Sequence, residues 1–260
     1  MKSLKASVVF SIIRTAFMFR PQIKHNIRYQ YSTKICSAAI VKDFGRNFEV
    51  PSREYKLHLE DLNAHPHDKR IVFLENDHKY IVEGTPLQYS VTSLISEYFE
   101  KFESEITAKK MISGSRWPRE GYIHQNGEPY TLEEILQKWD DGGLDSRNRG
   151  TWMHFNIESY LNGIDSTASL PEFEQFLQFH RAHIEKKQIQ AFRTEWNVFS
   201  QKFDLAGSVD FVGQLPDKTF EIIDWKRAKN LENKLVNNFG KRAKYGVYLY
   251  IPFSFQLFSA

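Results

Sequence analysis

Gly207-Ser208-Val209-Asp210-Phe211-Val212 is followed by Gly213-Gln214, then by Leu215-Pro216-Asp217-Lys218, and then by Phe220-Glu221-Ile222-Ile223-Asp224-Trp225-Lys226. Two β-prone runs flank a Pro-Asp turn signal, so the stretch predicts a hairpin. A hairpin centred near Asp217 sets Asp210 opposite Asp224, with Cβ atoms about 5 Å apart on one face. Asp224 and Lys226 share that face because strand side chains repeat every second residue. Two carboxylates so close repel each other unless a cation lies between them. Hard oxygen donors select Mg²⁺ or Mn²⁺. Lys226 would then orient or deprotonate a water, or stabilise charge growing on a phosphate. A surface hairpin with an Asp–Lys ion pair reads the same way from this triplet alone.

Working upstream, residues 191–199 predict a third strand. Pro171 suits the start of a helix with Phe173, Phe176, Leu177, His180 and Ile184 on its buried side. Another helix is predicted over residues 150–161, stopped by Asn162-Gly163. Within it His154 and Glu158 are four apart and share a face, so the imidazole is a candidate further ligand. A lone helical histidine is more often structural. His180 and His183 lack a third ligand at metal spacing and read as packing or solvent-facing. Thr131 opens a helix to Trp139, ended by residues 140–143, and Ser90 caps one running from Val91 toward Phe102. Residues 71–74 and 79–82 predict two short strands. Helices followed by a run of strands give an α/β (α+β) class, with a central mixed sheet flanked by helices.

The 260 residues, 41% of them hydrophobic, suffice for a large core. A single cysteine, Cys36, excludes an internal disulfide and a cysteine-rich zinc site. The net charge of +3 hides an asymmetry: residues 1–42 hold eight basic residues and no acid, leaving 27 basic against 32 acidic in the remainder. The overall balance therefore gives no support for nucleic-acid binding. The first segment has the composition of a mitochondrial targeting segment, an amphipathic basic helix for import into the matrix. Its apolar stretch is interrupted by Arg14 and is too short to span a bilayer. A disordered basic tail is the alternative. Residues 43–70 read as a linker, and 71–260 as one domain, with a helical lead-in at 71–145 and a core at 146–260.

The order GT-x-x-H-x-x-x-E at Gly150 to Glu158, a Glu195-bearing strand, G-S-V-D to Asp210, and Asp224-Trp225-Lys226 resembles the RecB-type branch of the PD-(D/E)XK nuclease superfamily. Within it the chain is most similar to mitochondrial genome maintenance exonucleases, from about Ile71 onward. The resemblance implies a restriction-endonuclease-like nuclease core. It implies that Asp210, Asp224 and Lys226 are catalytic. His154, Asp210, Asp224 and the Trp225 carbonyl would hold Mg²⁺ or Mn²⁺, and Glu195 matches an acidic position of less defined role. The activity implied is metal-dependent phosphodiester hydrolysis, an exonuclease on single-stranded or flap DNA in mitochondrial DNA maintenance and repair, acting as a monomer.

Between Lys226 and Lys244 seven basic residues stand against Glu232, a candidate phosphate track or a solvated helix face. Arg227 and Lys229 belong to it. Trp117, Tyr122 and Trp139 could stack on bases, though core packing is the commoner use of both tryptophans. Relatives continue through a helix opening with Gln. Here Phe253-Ser254-Phe255-Gln256-Leu257 resembles its start, which adds Gln256 to the substrate contacts and reads as a truncated C-terminal part. A catalytically impaired DNA-binding relative is therefore the alternative function. An unrelated α+β protein with an accidental D-x-K is the third.

Overall fold

The computed structural model describes residues 7–15, 44–49, 58–75, 77–98, 101–164 and 170–228. The elements are β1 (Ser7–Thr15), α1 (His58–Leu62), β2 (Ile71–Leu74), β3 (Lys79–Val82), β4 (Thr85–Pro86), β5 (Tyr89–Ser90) and α2 (Val91–Glu97). They continue with α3 (Ser104–Ile112), α4 (Leu132–Leu161), α5 (Pro171–Phe179), β6 (Gln190–Ser200), β7 (Leu205–Gln214) and β8 (Phe220–Ala228). A 3₁₀ turn covers Pro66–Arg70, and a π-helical turn, His180–Glu185, extends α5. This is a mixed α+β architecture, with a five-stranded mixed sheet and a separate three-stranded antiparallel sheet of β2, β3 and β4.

Strand β7 organises the large sheet. Along one edge it pairs antiparallel with β6, from Gln214 opposite Gln190 to Leu205 opposite Ser200. Its other edge is shared. Phe211–Gln214 pair antiparallel with β8, in the register that sets Phe211 opposite Ile223, while Leu205 and Ala206 pair parallel with β5. Residues 207–210 lie between these two partners, and there β7 and β8 part. Gly207 is required by close approach: an added Cβ would sit 2.9 Å from Cγ2 of Val91, at the start of α2.

Alternation along β8 turns Ile223 and Trp225 toward the helices. There they join Phe211, Met153, Ile157, Phe173 and Phe176 in the main core. Asp224 and Lys226 take the alternate positions. Ile71, Tyr80 and Val82 of the small sheet pack on Ala206. Trp117, Tyr122 and Trp139 pack with Ala108, Met111 and Ile135 in a cluster between α3 and α4, and Trp139 Nε1 donates to the Tyr122 hydroxyl.

Four sequence expectations differ. The predicted helices 131–139 and 150–161 are one 30-residue helix running through Gly142, Gly143 and Gly150. Each glycine disfavours helix by about 1 kcal/mol, but contacts along the helix and beyond it overrule that. Asn148 donates to the carbonyls of Phe44 and Gly45, Arg149 lies over the Phe44 ring and pairs with Asp145, and Gln137 bonds Asp141. Residues 58–70 do not form a linker. Leu59 is buried, and Asp68 accepts from Arg193 and from the Trp196 indole on β6. Residues 7–15 pair as a strand along β8, from Ser7 opposite Ala228 to Thr15 opposite Phe220, rather than forming a helix. Val8, Val9, Ile12 and Ile13 are β-branched, which favours that outcome. Helix α2 stops at Glu97, with the Tyr98 N–H closing on Ile95 and Ser96, short of Phe102. No helix among the described residues is long and apolar enough to cross a membrane.

Candidate metal centre

Where β7 and β8 separate, the Trp225 N–H finds a side chain in place of a strand partner: it donates to Asp210 Oδ2 at 2.7 Å. The register of the hairpin, continued by one residue, sets Asp210 opposite Asp224 as the Pro216-Asp217 turn predicts. Lys226 Nζ donates to Asp224 Oδ1 at 2.7 Å and lies 3.7 Å from Asp210 Oδ2. Both catalytic carboxylates expected from the sequence and the lysine thus meet at one point.

Two further elements deliver side chains to it. The C-terminal part of α4 contributes His154, whose Nδ1 lies 2.9 Å from Glu195 Oε1 and 3.8 Å from Asp210 Oδ2, while Nε2 lies 3.0 Å from the Trp225 carbonyl. A carboxylate and a carbonyl both accept, so the two ring nitrogens face acceptors, an arrangement that favours the protonated ring. Strand β6 contributes Glu195. Its φ of +43 is left-handed inside a strand, and its carboxylate also lies 3.5 Å from the Ser208 hydroxyl. Candidate ligand atoms of His154, Glu195 and Asp210 all lie within 4.8 Å of one another.

The electrostatics grade from floor to mouth. Asp210 is 8% exposed, His154 and Glu195 about a quarter, Asp224 41% and Lys226 60%. Burial pushes the Asp210 carboxyl up to about 6, with Glu195 and Asp224 adding to the rise against the attraction of His154 and Lys226. For His154, burial alone would lower the pKa, but the Glu195 hydrogen bond and the charges of Glu195 and Asp210 outweigh it and raise it. The Lys226 ammonium is likewise held by Asp210 and Asp224 against its partial desolvation, so its pKa is raised. Three carboxyl groups thus face one imidazole and one ammonium.

The donor set fits a hard divalent cation. Oxygens of Asp210 and Glu195 converge with one imidazole and one main-chain carbonyl, a combination suited to Mg²⁺ and, because of the nitrogen, better suited to Mn²⁺. To ligate through Nε2, His154 must first lose the proton it shares with the Trp225 carbonyl.

The other expected residues divide. Glu158 is buried and stands apart from the three grouped ligands. Arg227 takes the opposite face of β8 and donates through Nε to Glu172 Oε1 at 2.7 Å, with a side chain only 10% exposed, so it is not in the cluster. Lys229, Gln256 and most of the basic run lie outside the described residues. Two arrangements escaped the sequence reading. The first is the hydrogen bond from His154 to Glu195, which single-sequence spacing across 41 residues could not signal. The second is a closed cluster in which His183 and Lys187 both meet the fully buried Glu221 carboxylate.

Comparisons with protein families, with curated proteins and with solved structures gave no match to this chain. The class is therefore defined by fold and geometry alone: a mixed α+β protein with a carboxylate–histidine–lysine cluster where two strands part.

Proposed function

We propose that this chain is a metal-dependent phosphodiester hydrolase acting on DNA, with a nuclease core of the PD-(D/E)XK kind. One observation carries the reading. Residues from α4, β6, β7 and β8 bring His154, Glu195, Asp210, Asp224 and Lys226 together where β7 and β8 part, beside the Trp225 carbonyl.

Asp210, Glu195, His154 and the Trp225 carbonyl would hold Mg²⁺ or Mn²⁺, with Asp224 at the rim. When bound, the cation supplies a Lewis acid at the phosphate and acidifies a water. The chain does the rest. Asp210 is fixed by the Trp225 N–H, so its second oxygen has little freedom. Glu195 orients the His154 ring. Asp224 holds Lys226 at the mouth, where 60% of its side chain meets solvent. With its pKa raised, Lys226 carries its proton at neutral pH. It therefore acts as a donor to phosphate oxygens as charge grows on them, not as a resting base. Single-stranded or flap DNA, the mitochondrial matrix and a monomeric state complete the proposal.

The test is cleavage of end-labelled single-stranded DNA by the full chain in Mn²⁺, in Mg²⁺ and in EDTA, beside Asp224→Ala. Metal-dependent cleavage that the variant loses supports the reading. Equal products from wild type and variant would sink it. DNA binding without cleavage in either metal would point to an impaired binding relative.

A further inference from the structure

Arg227 follows the lysine of the cluster and begins a basic run, so the sequence offers it as a phosphate contact. Its surroundings argue otherwise. It shares a β8 face with Trp225, which is 1% exposed and meets Phe176 and Phe179 edge-on. Two residues further along that face, the Arg227 guanidinium reaches the first turn of α5 and pairs with Glu172. Both side chains are nearly sealed, at 10% and 3% exposure. The second Glu172 oxygen is buried with no hydrogen-bond partner among the described residues. Among the described residues, Arg227 is thus the partner of a carboxylate that solvent barely reaches. Breaking that pair to bind a phosphate would strand a buried charge.

The pair is also well placed for another task. The Trp225 peptide offers its N–H to Asp210 and its carbonyl to His154. Trp225 is pinned by aromatic packing and by the pairing of β8 with β1, but on the β7 edge the ladder ends at Ile223, so slide of this part of β8 against β7 is resisted from one side only. A directional ion pair two residues on resists that slide. The geometry points to Arg227 and Glu172 as a positioning pair: anchored to α5, they hold the end of β8 so that the Trp225 peptide and Lys226 stay in register with Asp210 and His154. This rests on the metal-centre reading above.

The experiment measures Mn²⁺ binding to the full chain by calorimetry, and the salt dependence of binding to labelled single-stranded DNA. It compares wild type, Glu172→Gln, Arg227→Gln, the double variant and Arg227→Lys. Positioning predicts that both glutamine variants weaken Mn²⁺ by about tenfold, the usual effect of losing an outer-shell support. The double variant is then no weaker than the worse single, and Arg227→Lys recovers part of the loss. The DNA salt slope stays at the wild-type value. The proposal is overturned if Arg227→Gln flattens that slope by about one with Mn²⁺ affinity intact, the signature of a phosphate contact. It is also overturned if wild type binds Mn²⁺ and every variant binds it equally well. Should Arg227→Gln fail to fold, Glu172→Gln and Arg227→Lys decide on the same criteria. A wild-type chain that binds no Mn²⁺ at all defeats the metal-centre reading itself, a result separate from insensitive variants.

Discussion

Asp210→Asn should make the metal-free protein more stable, and this follows from the position of the carboxylate. Asp210 is 8% exposed, and its pKa rises from the ordinary 3.8 to about 6 even though His154 and Lys226 attract its charge. The unfolded chain loses the Asp210 proton near 3.8 and the folded one near 6. Between those values the native state binds more protons, so stability falls as pH rises. The favourable contribution is whole below the lower value and gone above the higher. A gap of about two pH units corresponds to about 3 kcal/mol of ionisation penalty at neutral pH. Asparagine keeps an acceptor for the Trp225 N–H and removes the charge. In EDTA at pH 7.5 the variant should melt higher, by about 6–12 °C if the whole penalty is relieved in a chain of this size. The advantage should shrink below pH 6 and vanish near pH 4. Adding Mn²⁺ should reverse the order at about a thousand times the dissociation constant, where binding stabilises wild type by about 4.1 kcal/mol and the variant has lost a ligand. Calorimetric melts across pH, with and without metal, provide the assay. A variant less stable than wild type in EDTA at pH 7.5, or an advantage independent of pH, would refute the reasoning.

Lys226→Ala should lower DNA cleavage by about 10²–10³-fold while leaving Mn²⁺ binding in place, checked by single-turnover kinetics beside calorimetry. Phe176→Ala empties a fully buried site against Trp225 and should destabilise by about 3–5 kcal/mol, read from urea unfolding midpoints. Asp68→Ala leaves Arg193 buried without its carboxylate and should cost about 3–5 kcal/mol by thermal melting. Burial opposes ionised Asp68, yet the Arg193 hydrogen bond holds its pKa below the ordinary value. The difference between wild type and Asp68→Ala should therefore be full above pH 4 and fade as pH falls through that lowered value.

Much of the site was legible because its signals are local. The Pro216-Asp217 turn fixes the hairpin register, and register carries Asp210, Asp224 and Lys226 to one place with no tertiary information. Strands at 71–74 and 79–82 and the caps at Ser90 and Thr131 were equally local. Failures came where distant contacts outvote propensity. The glycines of α4 spelled a stop, and the helix continues because residues about a hundred positions upstream, Phe44 and Gly45, bond Asn148. Residues 58–70 looked polar and irregular, and their partner Arg193 lies 125 positions from Asp68. Arg227 shows a similar limit: charge in a sequence does not disclose the buried Glu172 that receives it.

The two acid–base clusters on β8 differ in a way that favours one of them as the working site. Glu221 is fully buried and both its oxygens are engaged, by His183 and by Lys187. Its backbone departures, the π-helical turn that carries His183 and the positive φ of Gln188, lie at the end of α5 and not inside a strand, and its chemistry is closed. At the other cluster the structure is under tension from several sides. Glu195 holds φ at +43 within a strand, whereas His78, Glu83, Gln188, Asp204 and Lys218, the other described non-glycine residues with positive φ, sit in turns or caps. Such a conformation costs about 1–3 kcal/mol and persists only where its surroundings enforce it. A buried aspartate resists ionisation there, three carboxylates crowd together, and β7 forgoes ladder pairing with β8. Packing alone supplies no reason to collect these penalties at one point. A divalent cation would relieve three of them at once, by neutralising the carboxylates, lowering the Asp210 pKa and rewarding the turn of Glu195 toward His154. The strained cluster, not the satisfied one, is therefore where cation binding should be sought.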